Sequence, residues 1–175
     1  MLATLGGDKA LQAVRDLLAG EVRKTAVRAL ADWADDAPMA DLLKVAKEDK
    51  EQSVQILALR GYIRMAGRIR MGAERKIEAY RAALELATRP EEKRLVLTGL
   101  GDVANPGSLK LVEPCLAEAG LEREAFVAYE KIAESLVRRQ PAMAKEALQR
   151  VADKTDDSGL RSKAQKALER INSNK

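Results

Sequence analysis

Ala26-Val-Arg-Ala-Leu-Ala-Asp-Trp-Ala34 is the first of five copies of one nine-residue pattern. Ala58-Leu-Arg-Gly-Tyr-Ile-Arg-Met-Ala66, Val96-Leu-Thr-Gly-Leu-Gly-Asp-Val-Ala104, Ala125-Phe-Val-Ala-Tyr-Glu-Lys-Ile-Ala133 and Ala164-Gln-Lys-Ala-Leu-Glu-Arg-Ile-Asn172 follow at intervals of 32, 38, 29 and 39 residues. Self-similarity at this period marks a repeat architecture, whose units bury their apolar faces on their neighbours and present a surface rather than a catalytic pocket. Columns one, four, five, eight and nine are small or apolar almost throughout, which is the spacing of one helical face. Column four admits only Ala29, Gly61, Gly99, Ala128 and Ala167, so another helix is expected to cross close to the backbone there. Column five carries bulk as Leu30, Tyr62, Leu100, Tyr129 and Leu168, and column eight adds Trp33, Met65, Val103, Ile132 and Ile171. Columns five and eight are the expected core.

Each copy has a second apolar stripe ahead of it. Leu11, Val14, Leu17 and Leu18 precede the first, and Leu42, Leu43, Val45 and Ala46 the second. Ile77, Tyr80, Leu84 and Leu86 precede the third, Leu109, Val112, Cys115 and Leu116 the fourth, and Met143, Leu148 and Val151 the fifth. Turn signals separate them at Asp35-Asp36-Ala-Pro38, Arg89-Pro90, Asn105-Pro106-Gly107, Gln140-Pro141 and Asp156-Asp157-Ser-Gly159. Aromatics are only 3% of a chain that is 46% hydrophobic, and no run alternates as a strand would. The expectation is an all-α chain of about five antiparallel helix pairs, with hairpins near 8–35, 38–67, 73–104, 106–138 and 141–172 of a single domain, 1–175. Pro38, Pro106 and Pro141 fall where helices begin, whereas Pro114 falls inside one and predicts a kink.

These residues resemble a known family. HEAT repeats are helical hairpins whose second helix often reads Val-Arg-x-x-Ala-x-x-Ala-Leu-x-x-Ile/Leu-Gly/Ala. Val22-Arg23-Lys-Thr-Ala26-Val-Arg-Ala29-Leu30-Ala-Asp-Trp33-Ala34 is similar to it, as is Leu160-Arg161-Ser-Lys-Ala164-Gln-Lys-Ala167-Leu168-Glu-Arg-Ile171. The third copy departs from the pattern with Glu92-Lys93 and the fourth with Leu121-Glu122, and Gly67–Gly72 looks like an insertion relative to the more regular bacterial HEAT-like arrays. The resemblance implies a right-handed α-α superhelix, a solenoid of the armadillo-like kind, whose second helices line the concave side. Met1-Leu-Ala-Thr-Leu-Gly6 fits columns four to nine and reads as the remnant of a preceding helix, which leaves localisation undetermined. A truncated first repeat would expose apolar surface around Leu2, Leu5 and Leu11, favouring end-to-end self-association.

Catalytic furniture is sparse. The chain has no His, the commonest general base and metal ligand, and one Cys, which rules out a disulfide or a Cys-rich zinc site. Cys115 on an apolar stripe is expected to be a buried structural thiol. Gly99-Leu-Gly101 sits inside a helix without the strand that a phosphate-cradling loop requires. Asp35-Asp36 and Asp156-Asp157 stand at helix boundaries, where capping favours carboxylates. No enzyme, cofactor or metal is expected, and no apolar run approaches the roughly 20 residues of a membrane span.

Charge placement is the functional lead. Lys and Arg number 31 against 27 Asp and Glu, a mild net +4. Columns three and seven, with the residue one turn earlier, form a line on each second helix that points away from the packed columns. Lys24, Arg28, Arg60, Arg64, Arg94, Arg123, Lys131, Lys166 and Arg170 lie on it with only Asp32 and Asp102 as acids. Two readings stand side by side: a basic concave groove that takes an acidic partner, or a solvated face paired internally by Asp/Arg ladders. A second basic cluster, Arg64, Arg68, Arg70, Arg75 and Lys76, spans the insertion with Glu74 as its only acid. The leading function is a protein-interaction scaffold with an acidic protein partner. Nucleic-acid binding through the same groove is one alternative, although single-strand stacking wants exposed aromatics. The other is an accessory repeat domain of a larger enzyme, including one resembling the HEAT-like subunits of phycobilin lyases.

Overall fold

The computed structural model describes residues 7–173, and among these the chain is helical with no strand. The segment read as a remnant helix, Met1–Gly6, with Leu2 and Leu5, lies outside the described residues. The described helices are α1 (Asp8–Asp16), α2 (Arg23–Ala31), α3 (Met39–Glu48), α4 (Gln52–Arg68), α5 (Ala73–Leu86), α6 (Pro90–Gly101), α7 (Pro106–Val112), α8 (Glu122–Leu136), α9 (Pro141–Lys154) and α10 (Ser158–Ser173). The five pattern copies begin on α2, α4, α6, α8 and α10.

Local chemistry sets the ends. Pro90, Pro106 and Pro141 are first residues of their helices, where the missing N–H has no intrahelical acceptor to lose. Asn105 caps α7, its Oδ1 accepting from the Gly107 N–H at 2.7 Å. Pro114 cannot donate, and the expected kink takes the form of a change of helix: α7 stops at Val112 and Glu113–Ala117 continues as a 310 turn. α1 likewise runs into a 310 turn at Leu17–Ala19. α4 runs on to Arg68 and takes in the first two residues of the Gly67–Gly72 insertion, whose remaining residues connect to α5 outside any helix.

The chain forms two compact units, one of Met1–Gly72 with Glu78–Leu95 and the other of Ala73–Ile77 with Val96–Lys175, so the boundary passes through α5 and α6. In the first unit α1 packs with α2 and α3 with α4, and α2 lies against α4. In the second, α7 packs with α8 and α9 with α10, and α8 lies chiefly against α9 with a smaller contact to α10. Successive hairpins thus meet through their second helices in the first unit, whereas the last two hairpins of the second unit meet mainly through α8 against α9.

The column pattern explains that contact. Column five is buried in every copy, and in column eight Trp33, Met65, Val103 and Ile132 are buried while Ile171 is half-buried. At roughly 1.5–3 kcal/mol per fully buried large apolar side chain, this stripe is the main cohesive element. Column four is the close approach: a Cβ at Gly61 would lie 2.6 Å from the Ala31 Cβ, and one at Gly101 would lie 3.5 Å from the Ala128 Cα. In these two pairs, one within each unit, column four of the later copy sits on column six of the earlier one. Columns two and six, outside the face expected from the pattern, pack as well. Val27, Leu59, Leu97 and Phe126 in column two, and Ala31, Ile63 and Glu130 in column six, are buried. Column nine departs the other way. Ala34 and Ala104 are exposed because α2 and α6 have already ended.

Candidate interaction surface

Helical geometry turns columns three and seven away from both neighbouring helices, and every residue in them is exposed: Arg28, Asp32, Arg60, Arg64, Thr98, Asp102, Val127, Lys131, Lys166 and Arg170. Columns three and seven are thus exposed in every copy, with Asp32 and Asp102 just past the ends of their helices. The residues one turn earlier are mixed, with Lys24, Arg123 and Ser162 exposed and Ile56 and Arg94 half-buried.

Most of the ridge cations have a carboxylate partner, usually on the next or the preceding hairpin. Arg64 reaches Asp32 at 2.8 Å in the first unit, and Lys131 reaches Asp102 at 2.5 Å in the second, both pairs joining column seven of consecutive copies. Lys24 bonds Glu51 at the start of α4, and Arg123 stands 3.6 Å from Asp157 at the start of α10, which is the same step made in each unit. Arg170 holds Glu134 at 2.7 Å. Such exposed pairs contribute about 0–1 kcal/mol each, so they set register more than they set stability. Arg28 and Lys166 are exposed with no ion pair among the described residues. Much of the ridge charge is therefore used within the fold.

Two carboxylates in this network are buried. Glu92 is 1% exposed in the position where the other copies carry Val22, Val54, Leu121 and Leu160. Arg60 grips its Oε1 through Nη2 at 2.7 Å and Nε at 2.8 Å, with Arg89 at 3.6 Å from Oε2. Glu130, also 1% exposed, occupies column six at the α8–α10 crossing. Lys163 of α10 meets its Oε2 at 2.8 Å, while Oε1 has no hydrogen-bond partner. The bond to Glu130 raises the Lys163 pKa, and Arg170 lowers that of Glu134. Hydrogen bonds from Lys24, Ser53 and Arg23 hold Glu51 down to about 2. Glu92 was legible as a break in the pattern. Glu130 was missed because column six had not been recognised as a packing column.

The second basic cluster is also partly engaged. Arg64 is paired as above, Arg68 donates to the Trp33 carbonyl, and Glu74 accepts from Asn105 Nδ2 at 3.1 Å. The paired aspartates act in turns and caps, with Asp35 Oδ1 accepting from the Ala37 N–H and Asp157 Oδ1 from the Leu160 N–H, each at 3.0 Å. Cys115 is buried. The second unit has a cleft of about 1100 Å³ between the 310 turn, α8 and the end of α9. Two of its cations are committed, Arg123 to Asp157 and Arg150 to Glu113, and Arg150 also lies over the Tyr129 ring at 6.0 Å. Trp33, Tyr62, Tyr80, Phe126 and Tyr129, which are all the aromatics in the chain, are buried. Among the described residues no group of three acids or Cys is placed to hold a metal, and no helix is long and apolar enough to cross a membrane.

No protein-family model matches the chain, and neither a curated protein nor a solved structure matches it.

Proposed function

We propose that this chain is a HEAT-like repeat module, a solenoid of about five hairpins that performs no chemistry and binds a protein with an acidic surface along its second helices. The observation that carries this reading is the exposure of columns three and seven in all five copies, while columns one and five are buried in every copy. Arg28 and Lys166 supply charge that no carboxylate among the described residues neutralises. Val127, 45% exposed in column three, adds an apolar contact on the same line. Nucleic acid would meet the same cations, but with every aromatic buried the ridge has no stacking platform for bases.

The test compares a fluorescent polyglutamate peptide with random duplex DNA by anisotropy across a salt series. The proposed ridge binds the acidic peptide at low salt, loses affinity as salt rises, and weakens about tenfold in the Arg28→Glu, Lys166→Glu double variant. Tighter, steeply salt-dependent binding of the duplex transfers the ridge to nucleic acid. Absence of binding to either probe at low salt removes the ridge as a binding surface.

A further inference from the structure

Taking the ridge as the binding surface, we propose that the second unit selects its acidic partner by one aliphatic side chain, seated in a pocket between α6 and α8 beside Val127. Column three is basic in three copies, as Arg28, Arg60 and Lys166, but holds Thr98 in the third and Val127 in the fourth. Nothing local asks for Val127. A β-branched residue on an exposed helical stripe has a lower helix propensity than the Arg or Lys of the other copies, and at 45% exposure it adds little to the core. It borders a pocket of about 280 Å³ whose floor is the buried Leu97, Gly101 and Ala128. The small residues that let α6 and α8 approach leave this hollow beside them, with the Lys131 stem as one wall: the Ala128 Cα and the Lys131 Cδ each lie 3.5 Å from where a Cβ at Gly101 would stand.

α8 has a pattern helix on each flank, α6 through the Gly101–Ala128 approach and α10 through the bond between Lys163 and Glu130, so Val127 is open by its direction and not for want of a neighbouring hairpin. The charges around it choose the occupant. Arg123 and Lys131 stand one turn before and one turn after Val127 on the same stripe, both exposed. The pairs they make with Asp157 and Asp102 are weak surface pairs, which exchange for a partner's carboxylates at little cost. Lys166, in column three of the next copy, is exposed with no ion pair among the described residues and takes a further carboxylate. Glu124 is the one acid among the residues lining the pocket, and it is half-buried. It repels a carboxylate from the pocket itself, which leaves an uncharged aliphatic side chain as the occupant and acids as its flanks. The partner is thus an acidic segment interrupted by one residue such as Leu or Ile.

Anisotropy with two fluorescent peptides on the intact chain tests this: the polyglutamate peptide, and the same peptide with one central Glu replaced by Leu. Charge by itself makes the Leu peptide the weaker ligand, because it has lost a carboxylate. The pocket makes it the tighter one, by about fivefold. Val127→Lys, at an exposed position, should leave helicity unchanged and bind the polyglutamate peptide at least as well as the wild-type chain, while abolishing the advantage of Leu. Val127→Ser should reduce that advantage without changing the affinity for polyglutamate. A Leu peptide that binds no better than polyglutamate overturns the pocket and leaves the ridge reading standing, as does an advantage that survives Val127→Lys. Binding of neither peptide at low salt overturns both.

Discussion

Gly61→Ala and Gly101→Ala change the same atoms on the pattern helices and should move stability in opposite directions. At Gly61 the added Cβ would lie 2.6 Å from the Ala31 Cβ, about 1 Å inside a normal carbon–carbon contact. Ala31 has no rotamer with which to yield, so α4 must move off α2. That shift disturbs packing around the buried Leu30, Leu42 and Tyr62 and should cost about 1–3 kcal/mol. The better helix propensity of Ala returns about 0.5–1 kcal/mol, leaving a net loss of roughly 1–2 kcal/mol. At Gly101 the nearest atoms are the Ala128 Cα and Lys131 Cδ, both at 3.5 Å, an ordinary contact. Only the propensity gain operates there, so Gly101→Ala should stabilise by up to about 0.5 kcal/mol at this last position of its helix. Urea unfolding followed by circular dichroism at 222 nm measures both. The close contact is tested directly by Ala31→Gly in the Gly61→Ala background, which removes the opposing Cβ and should recover about 1 kcal/mol relative to additive single effects. Equal, harmless behaviour of the two alanine variants, or strict additivity with Ala31→Gly, would refute the reading of column four as a close helix crossing.

Two further outcomes follow from the buried and paired carboxylates. Arg60→Ala removes the two short bonds to the buried Glu92 carboxylate, leaves Arg89 at 3.6 Å, and should cost about 1–3 kcal/mol; Glu92→Leu restores the apolar residue type found there in the other copies and should be neutral or stabilising. In the Glu92→Leu background the Arg60→Ala cost should vanish, and its persistence would show that Arg60 acts through something else. Glu51 is held at about 2 against an ordinary 4.5, so what its ion pairs contribute is present above pH 4.5 and is lost as pH falls toward 2. Carboxyl NMR titration should show this midpoint rising in Lys24→Met, and an unchanged midpoint would contradict the assignment of Lys24 as the main cause.

The helices were readable because their causes are local. Apolar residues at helical spacing, prolines at first positions and the Asn105 cap act within a few residues of where they are written, and the bulky columns five and eight had no other face to occupy. Even the interruption at Pro114 needed only a missing N–H. The ridge was legible as a direction, since columns three and seven point away from the packed side whatever lies beyond them. Its charge was not. Whether Arg64 is free or spent on Asp32 depends on how one hairpin docks on the next, as does the burial of Glu130 in column six, which reads like any solvated acid along its own helix.

Helix–helix docking is decided by contacts between residues about thirty apart, and a single helix carries no record of which of its two flanks will be covered. Column four announced a close approach by its small residues, but only the packed chain shows that Gly61 and Ala128 each meet column six of the preceding copy within their unit. That register sets Gly61 against Ala31 in the first unit and Gly101 against Ala128 in the second. Sequence by itself determined which residues become helix and which stripe each helix buries, because side-chain periodicity and capping are short-range. Only tertiary structure decided which charges are neutralised and which apolar residues stay uncovered, because both are properties of neighbouring hairpins rather than of any one of them.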